Sequence, residues 1–212
     1  MRGKIGPMKK ILRGSETGIV VVHEIYGVNR HMDEFCGRLA NAHADVYCPD
    51  LLNRPVPFGY EEEGAAYANF MAHAGFERSA EKVNALLSEL RSSYKKLYVV
   101  GFSVGATIAW LCGRQGHVDG VAGYYGSRIR DYTTLTPDCP VLLFFPSRER
   151  AFPIQELIET LKPKRNVEVR QYAGEHGFGD PFSANYHRAA AAEAFTELQA
   201  FIQRPGGRGT AE

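Results

Sequence analysis

The sequence predicts an α/β protein: a mostly parallel sheet of about seven strands with helices on both faces, three layers in all. Three observations carry this. Short runs rich in Val and aromatic residues recur along the chain. Stretches with helical spacing lie between them. The pentapeptide Gly101-Phe102-Ser103-Val104-Gly105 stands where one such run gives way to a helix.

Lys9–Arg13 supplies the first candidate strand. The stronger runs follow at Ile19–His23, Asp45–Cys48, Lys96–Val100, Gly120–Tyr125, Pro140–Phe145 and Val167–Tyr172. Apolar runs of this length suit strands covered on both faces. Between them Val83, Leu86, Leu87 and Leu90 recur at helical spacing, and Phe195, Leu198, Phe201 and Ile202 repeat the pattern. Ala106, Ile108, Ala109, Leu111 and Cys112 suit a buried helix. Residues 51–63 hold Pro55, Pro57 and Gly59 and read as an excursion from the sheet. The wider segment 51–76 is expected to wall a pocket with loops.

A chain of 212 residues suits a single domain, expected over 1–203, with 204–212 as a frayed tail. At this length roughly 70% of the unfolded surface is buried without a disulfide or metal staple. Lys and Arg total 25 and Asp and Glu 24, so the net charge of +1 argues against a nucleic-acid partner. The apolar runs are too short to span a bilayer, and no signal-peptide stretch follows the basic start; a cytoplasmic location is the default expectation. Cys36, Cys48, Cys112 and Cys139 are too scattered for a zinc ribbon or a redox pair.

Gly101–Gly105 matches G-x-S-x-G, in which a serine sits on a sharp strand-to-helix turn. A serine hydroxyl needs a base within hydrogen-bond reach, and with this motif the chain order is serine, acid, histidine. His117, His176 and His187 follow Ser103. His176 is favoured, because it comes directly after the Val167–Tyr172 run, where a parallel sheet presents its site. His23, His31, His43, His73, His117 and His187 are expected at the surface or satisfied in packing. Glu149, just past the Pro140–Phe145 run, is the candidate acid, with Asp131 and Asp138 as rivals. His23-Glu24-Ile25-Tyr26-Gly27 lacks the second histidine of a zinc-protease helix, and no other metal-ligand set was evident. The N–H groups of Val104 and Ile25 are the candidate oxyanion donors. The phosphate loop and dinucleotide fingerprint are both missing, so no cofactor is expected.

These segments resemble the dienelactone hydrolase family, a branch of the α/β-hydrolase fold. The resemblance rests on Glu24-Ile25-Tyr26-Gly27-Val28-Asn29, Asp50-Leu51, Gly101–Gly105, the run from Val141 to Pro153, and Gly174-Glu175-His176-Gly177-Phe178. It implies that fold without a cap domain, and hydrolysis of a small ester, lactone or thioester. It also implies Glu24 as a modulator of the nucleophile and, with Tyr26 and Phe102 beside it, a substrate-contacting surface. Three departures stand out. Ser103 replaces the family's characteristic cysteine. Glu149 replaces an aspartate. Asp180 stands where the type enzymes use an arginine to hold a dienelactone carboxylate. The expectation is therefore a serine-dependent hydrolase acting on a small molecule other than dienelactone, as a monomer or small homo-oligomer. A non-catalytic relative of the fold and an acyltransferase using the same site are the competing readings.

Overall fold

The computed structural model describes residues 6–150 and 152–204. Seven strands form one sheet: β1 (Met8–Ile11), β2 (Thr17–Val22), β3 (Asp45–Pro49), β4 (Lys96–Phe102), β5 (Gly120–Tyr124), β6 (Val141–Pro146) and β7 (Val167–Tyr172). Their spatial order is β1-β3-β2-β4-β5-β6-β7. Only β1 runs antiparallel, paired with β3; every other neighbour is parallel.

Alternation along each central strand sorts side chains between two cores. Ile19 and Val21 of β2, Tyr98 and Val100 of β4, and Leu142 and Phe144 of β6 face one core. That layer is covered by α1 (Arg30–Asn41) and α6 (Arg188–Gln203), through residues such as Phe35, Leu39, Phe195 and Leu198. Val20, Val22, Val99, Leu143 and Phe145 face the other. There α3 (Phe76–Leu90), α4 (Val104–Cys112) and α5 (Ile154–Leu161) pack with Val83, Leu87, Ile108, Trp110 and Leu157. In α4 every residue but Leu111 is buried, as expected of a helix without a polar face. The Trp110 indole still finds an acceptor in the carbonyl of Tyr132, at 3.2 Å.

The pocket segment 51–76 is more helical than its turn residues suggested. A short turn at Tyr60–Glu62 leads into α2 (Glu63–Asn69) and a wide helical turn at Phe70–Ala74. Ala66, Phe70 and Ala74 are all buried against the α3 side of the core. Their spacing of four is a helical signal that the neighbouring prolines and glycine masked. The connection between β5 and β6 holds one short helical turn, Ser127–Tyr132, and no cap. At the C-terminus Arg204 is anchored, pairing with Glu168 and accepting a 2.6 Å hydrogen bond from Lys96 Nζ at its carbonyl. The rest of the expected tail, 205–212, lies outside the described residues. Among the described residues no helix is long and apolar enough to cross a membrane.

The chain runs from β2 outward to β3, then crosses back to β4 on the other side of β2. The crevice at the carboxyl ends of β2 and β4 is thus the switch point at which open α/β sheets bind ligands.

Candidate active site

Ser103 occupies the turn between β4 and α4 with φ of 51° and ψ of −114°. A non-glycine residue in that region is strained, and the surroundings hold it there. Its N–H donates to the carbonyl of Tyr124 at 2.9 Å. A Cβ on Gly101 would collide with the backbone of Gly105, and one on Gly105 with the carbonyls of Val22 and His23. The two glycines therefore let α4 start hard against β2. Gly105→Ala should cost about 3 kcal/mol of stability, because the obstacle is backbone that cannot rotate away; a chemical-denaturation midpoint unchanged from wild type would contradict this.

Two loops bring the other predicted residues to Ser103. The loop after β6 carries Glu149 and the loop after β7 carries His176. They are laced together: Arg148 N–H donates to the Gly174 carbonyl at 3.2 Å, and Ser147 Oγ to the same carbonyl, also at 3.2 Å. His176 Nε2 lies 2.9 Å from Ser103 Oγ, and Nδ1 lies 2.9 Å from Glu149 Oε2. The His176 carbonyl accepts from Asn185 Nδ2 at 2.8 Å, and its ring packs 4.9 Å from that of Tyr125. Burial works against a charge on His176, but the hydrogen bond and charge of Glu149 outweigh it and raise its pKa above the usual value.

The rivals stand elsewhere. Asp131 pairs with Arg128 at 2.7 Å, and Asp138 precedes β6, at the far end of that strand. His187 caps α6 by accepting from the N–H of Ala190. His23 is buried and satisfied: Nε2 accepts from Leu51 N–H at 2.9 Å and Nδ1 donates to the Glu24 carbonyl at 2.6 Å. That bridge fixes the backbone entering Glu24-Ile25.

Ser103, His176 and Glu149 open on a cavity of about 540 Å³, whose wall also includes Val104 and Ile25. Tyr26 lines it too, its ring 4.8 Å from that of Tyr60, which the α2 segment contributes. Arg128, Arg130 and Arg150 stand on the wall reached from β5 and β6. Phe102, expected beside the substrate, does not line the cavity. As the last residue of β4 it points into the α1/α6 core, fully buried between Phe35 and Tyr124, each ring 4.6 Å away.

Glu24 is 6% exposed, contrary to the solvated carboxylate that a loop position allows. Burial, reinforced by the charge of Asp180, pushes its pKa up to about 7, with His176 opposing. Two residues near it have a placement that the sequence does not indicate. His31 was expected at the surface or satisfied; it is 1% exposed and neither ring nitrogen has a hydrogen-bond partner. Asp180 is also 1% exposed, held by Tyr60 Oη at 2.5 Å and by Phe182 N–H at 2.8 Å. No local spacing relates residues 24, 31 and 180, so only the fold shows that they meet.

Comparison with known proteins agrees with this architecture. The family model described as the dienelactone hydrolase family matches residues 6–205. The uncharacterized protein YczH of Bacillus subtilis is 39% identical over 173 residues, covering 81% of this chain and 85% of that protein. The carboxymethylenebutenolidase of Pseudomonas putida is 28% identical over 192 residues, covering 83% and 80%. Among solved structures, a candidate dienelactone hydrolase from Klebsiella pneumoniae superposes with a TM-score of 0.78 at 19% identity, covering 96% of this chain and 95% of that one. The α/β-hydrolase-like sheet and the match over nearly the whole chain together make this protein a member of the dienelactone hydrolase family of hydrolases.

Proposed function

We propose that the protein hydrolyses a small ester, lactone or thioester through an acyl-enzyme on Ser103. The observation behind this reading is the line of two 2.9 Å hydrogen bonds from Ser103 through His176 to Glu149. His176 takes the hydroxyl proton as Ser103 Oγ attacks the carbonyl carbon, and Glu149 stabilises the imidazolium that forms. The N–H groups of Val104 and Ile25 receive the oxyanion; Val104, as the first residue of α4, has no partner for its N–H within the helix. His176 then protonates the leaving alcohol or thiol. A water, deprotonated by His176 in turn, releases the acid and restores the serine. Glu24 and Tyr26 border the reacting groups.

A fluorophosphonate probe tests this directly. The expected result is one adduct per chain, on Ser103, together with hydrolysis of p-nitrophenyl acetate that the adduct abolishes. Failure of the folded wild-type protein to label would reject the serine nucleophile. Release of p-nitrophenolate accelerated by added alcohol, with ester rather than acid as product, would favour the acyltransferase reading.

A further inference from the structure

We propose that Glu24, His31 and Asp180 form a binding site for one divalent cation of the Zn²⁺ or Mn²⁺ class, set in the wall of the cavity. One ligand atom from each residue lies within 4.8 Å of the other two, and His31 Nδ1 is 3.6 Å from Asp180 Oδ2. Two atoms bound to one ion at about 2.0–2.2 Å stand roughly 3–4.4 Å apart. His31 Nδ1 and Asp180 Oδ2 already stand in that range, and a pair at the 4.8 Å limit would close by roughly 1.2–1.5 Å to reach tetrahedral spacing.

Independent of that spacing, His31 lacks what a buried imidazole requires. Its side chain is 2% exposed, and both ring nitrogens are without a hydrogen-bond partner. Beside it are two buried carboxylates, and no lysine or arginine pairs with either among the described residues. Two buried carboxyl groups removed from water resist ionising side by side, and a divalent cation neutralises both at once. Asp180 is already oriented, as metal-binding carboxylates are, by Tyr60 Oη on one oxygen and Phe182 N–H on the other.

The donor set and its position narrow the class of ion. One imidazole and two carboxylates suit Zn²⁺ or Mn²⁺; Mg²⁺ and Ca²⁺ favour oxygen alone. Glu24 and Asp180 reach the cavity wall, while His31 stands behind them against Phe35 and Phe102. Three protein ligands on the buried side leave the remaining positions open to the cavity, where water or an oxygen of a bound molecule completes the shell. That is the arrangement of exchangeable sites rather than closed structural ones.

The test uses the intact wild-type chain, stripped with a chelator, titrated calorimetrically with ZnCl₂ and separately with MgCl₂. One saturable Zn²⁺ site per chain is expected, with Mg²⁺ at least 100-fold weaker, as is a loss of about 100-fold in Zn²⁺ affinity in His31→Gln and in Asp180→Asn. Substitution of the exposed His73 by Gln should leave the affinity unchanged. X-ray absorption of the wild-type zinc form needs no variant to fold: one nitrogen and two or more oxygens at about 2.0–2.2 Å are expected. Sulfur in the shell, which would point to the four buried cysteines, overturns the proposal. So does the lack of a saturable site, or a site that survives both substitutions. None of these readouts depends on turnover, so a failure here leaves the hydrolase reading standing, and the reverse holds too.

Discussion

Ser103→Ala should lower kcat/KM on a p-nitrophenyl ester by about 10⁴–10⁶-fold, and adding His176→Ala to that variant should cost almost nothing more. The size follows from what each group does in the proposed mechanism. Without Oγ the acyl-enzyme cannot form. Without His176 a hydroxyl that is protonated near neutral pH has no base to activate it. A factor of 10⁵ is about 7 kcal/mol of transition-state stabilisation, more than a surface contact or a lost hydrogen bond supplies. Because the two groups act as one unit, joined by the 2.9 Å contact between Nε2 and Oγ, their losses should not add. The residual rate in Ser103→Ala, in His176→Ala and in the double variant should then reflect the cavity and the N–H groups of Val104 and Ile25. Single losses that multiply in the double variant would mean that the two residues serve separate steps, and the acyl-enzyme scheme would fail. Ser103 sits at φ of 51°, so each variant's unfolding midpoint must be measured alongside its activity.

What was legible in the sequence was legible for local reasons. β2 and β6 alternate between two cores, but both faces are covered, so each shows as a continuous apolar run and is found without knowing its partners. The elbow is legible because Gly101 and Gly105 are demanded by backbone contacts two positions from the serine. Glu149 and His176 are candidates from sequence because they stand just past β6 and β7 respectively, and parallel strands deliver such residues to one edge of a sheet. Phe102 shows where that reasoning stops. It adjoins Ser103 in sequence, yet strand alternation turns it into the opposite core. His31 and Asp180 mark a deeper limit. Their burial depends on α1 and the 176–185 segment closing over each other, and the bond from Tyr60 to Asp180 spans 120 positions. Ala66, Phe70 and Ala74 carried a readable period of four, hidden by the prolines just before them.

Glu149→Gln should lower kcat/KM by about 10²–10⁴-fold and move the acid limb of its pH profile to lower pH. Two effects of the carboxylate separate in this variant. The first is on the tautomer. Glu149 accepts a hydrogen bond from Nδ1–H, which keeps the proton on Nδ1 and leaves the lone pair of Nε2 facing Ser103. A glutamine amide can instead donate to Nδ1, and the proton then sits on Nε2, where it blocks the base. The second is on charge. Burial disfavours the imidazolium, but Glu149 more than offsets this and raises the pKa of His176. Only neutral His176 can accept the serine proton, so wild-type activity falls as pH drops through that raised value. With the carboxylate gone, only the more distant charges of Glu24 and Glu63 still oppose burial, and the fall begins at lower pH. A low plateau whose acid limb stays where it was would assign Glu149 to orientation alone. Wild-type activity and an unmoved limb would reject it as the acid. Asp138→Asn, at the opposite end of β6, should change neither quantity, and it separates the loss of one particular carboxylate from a general change in charge.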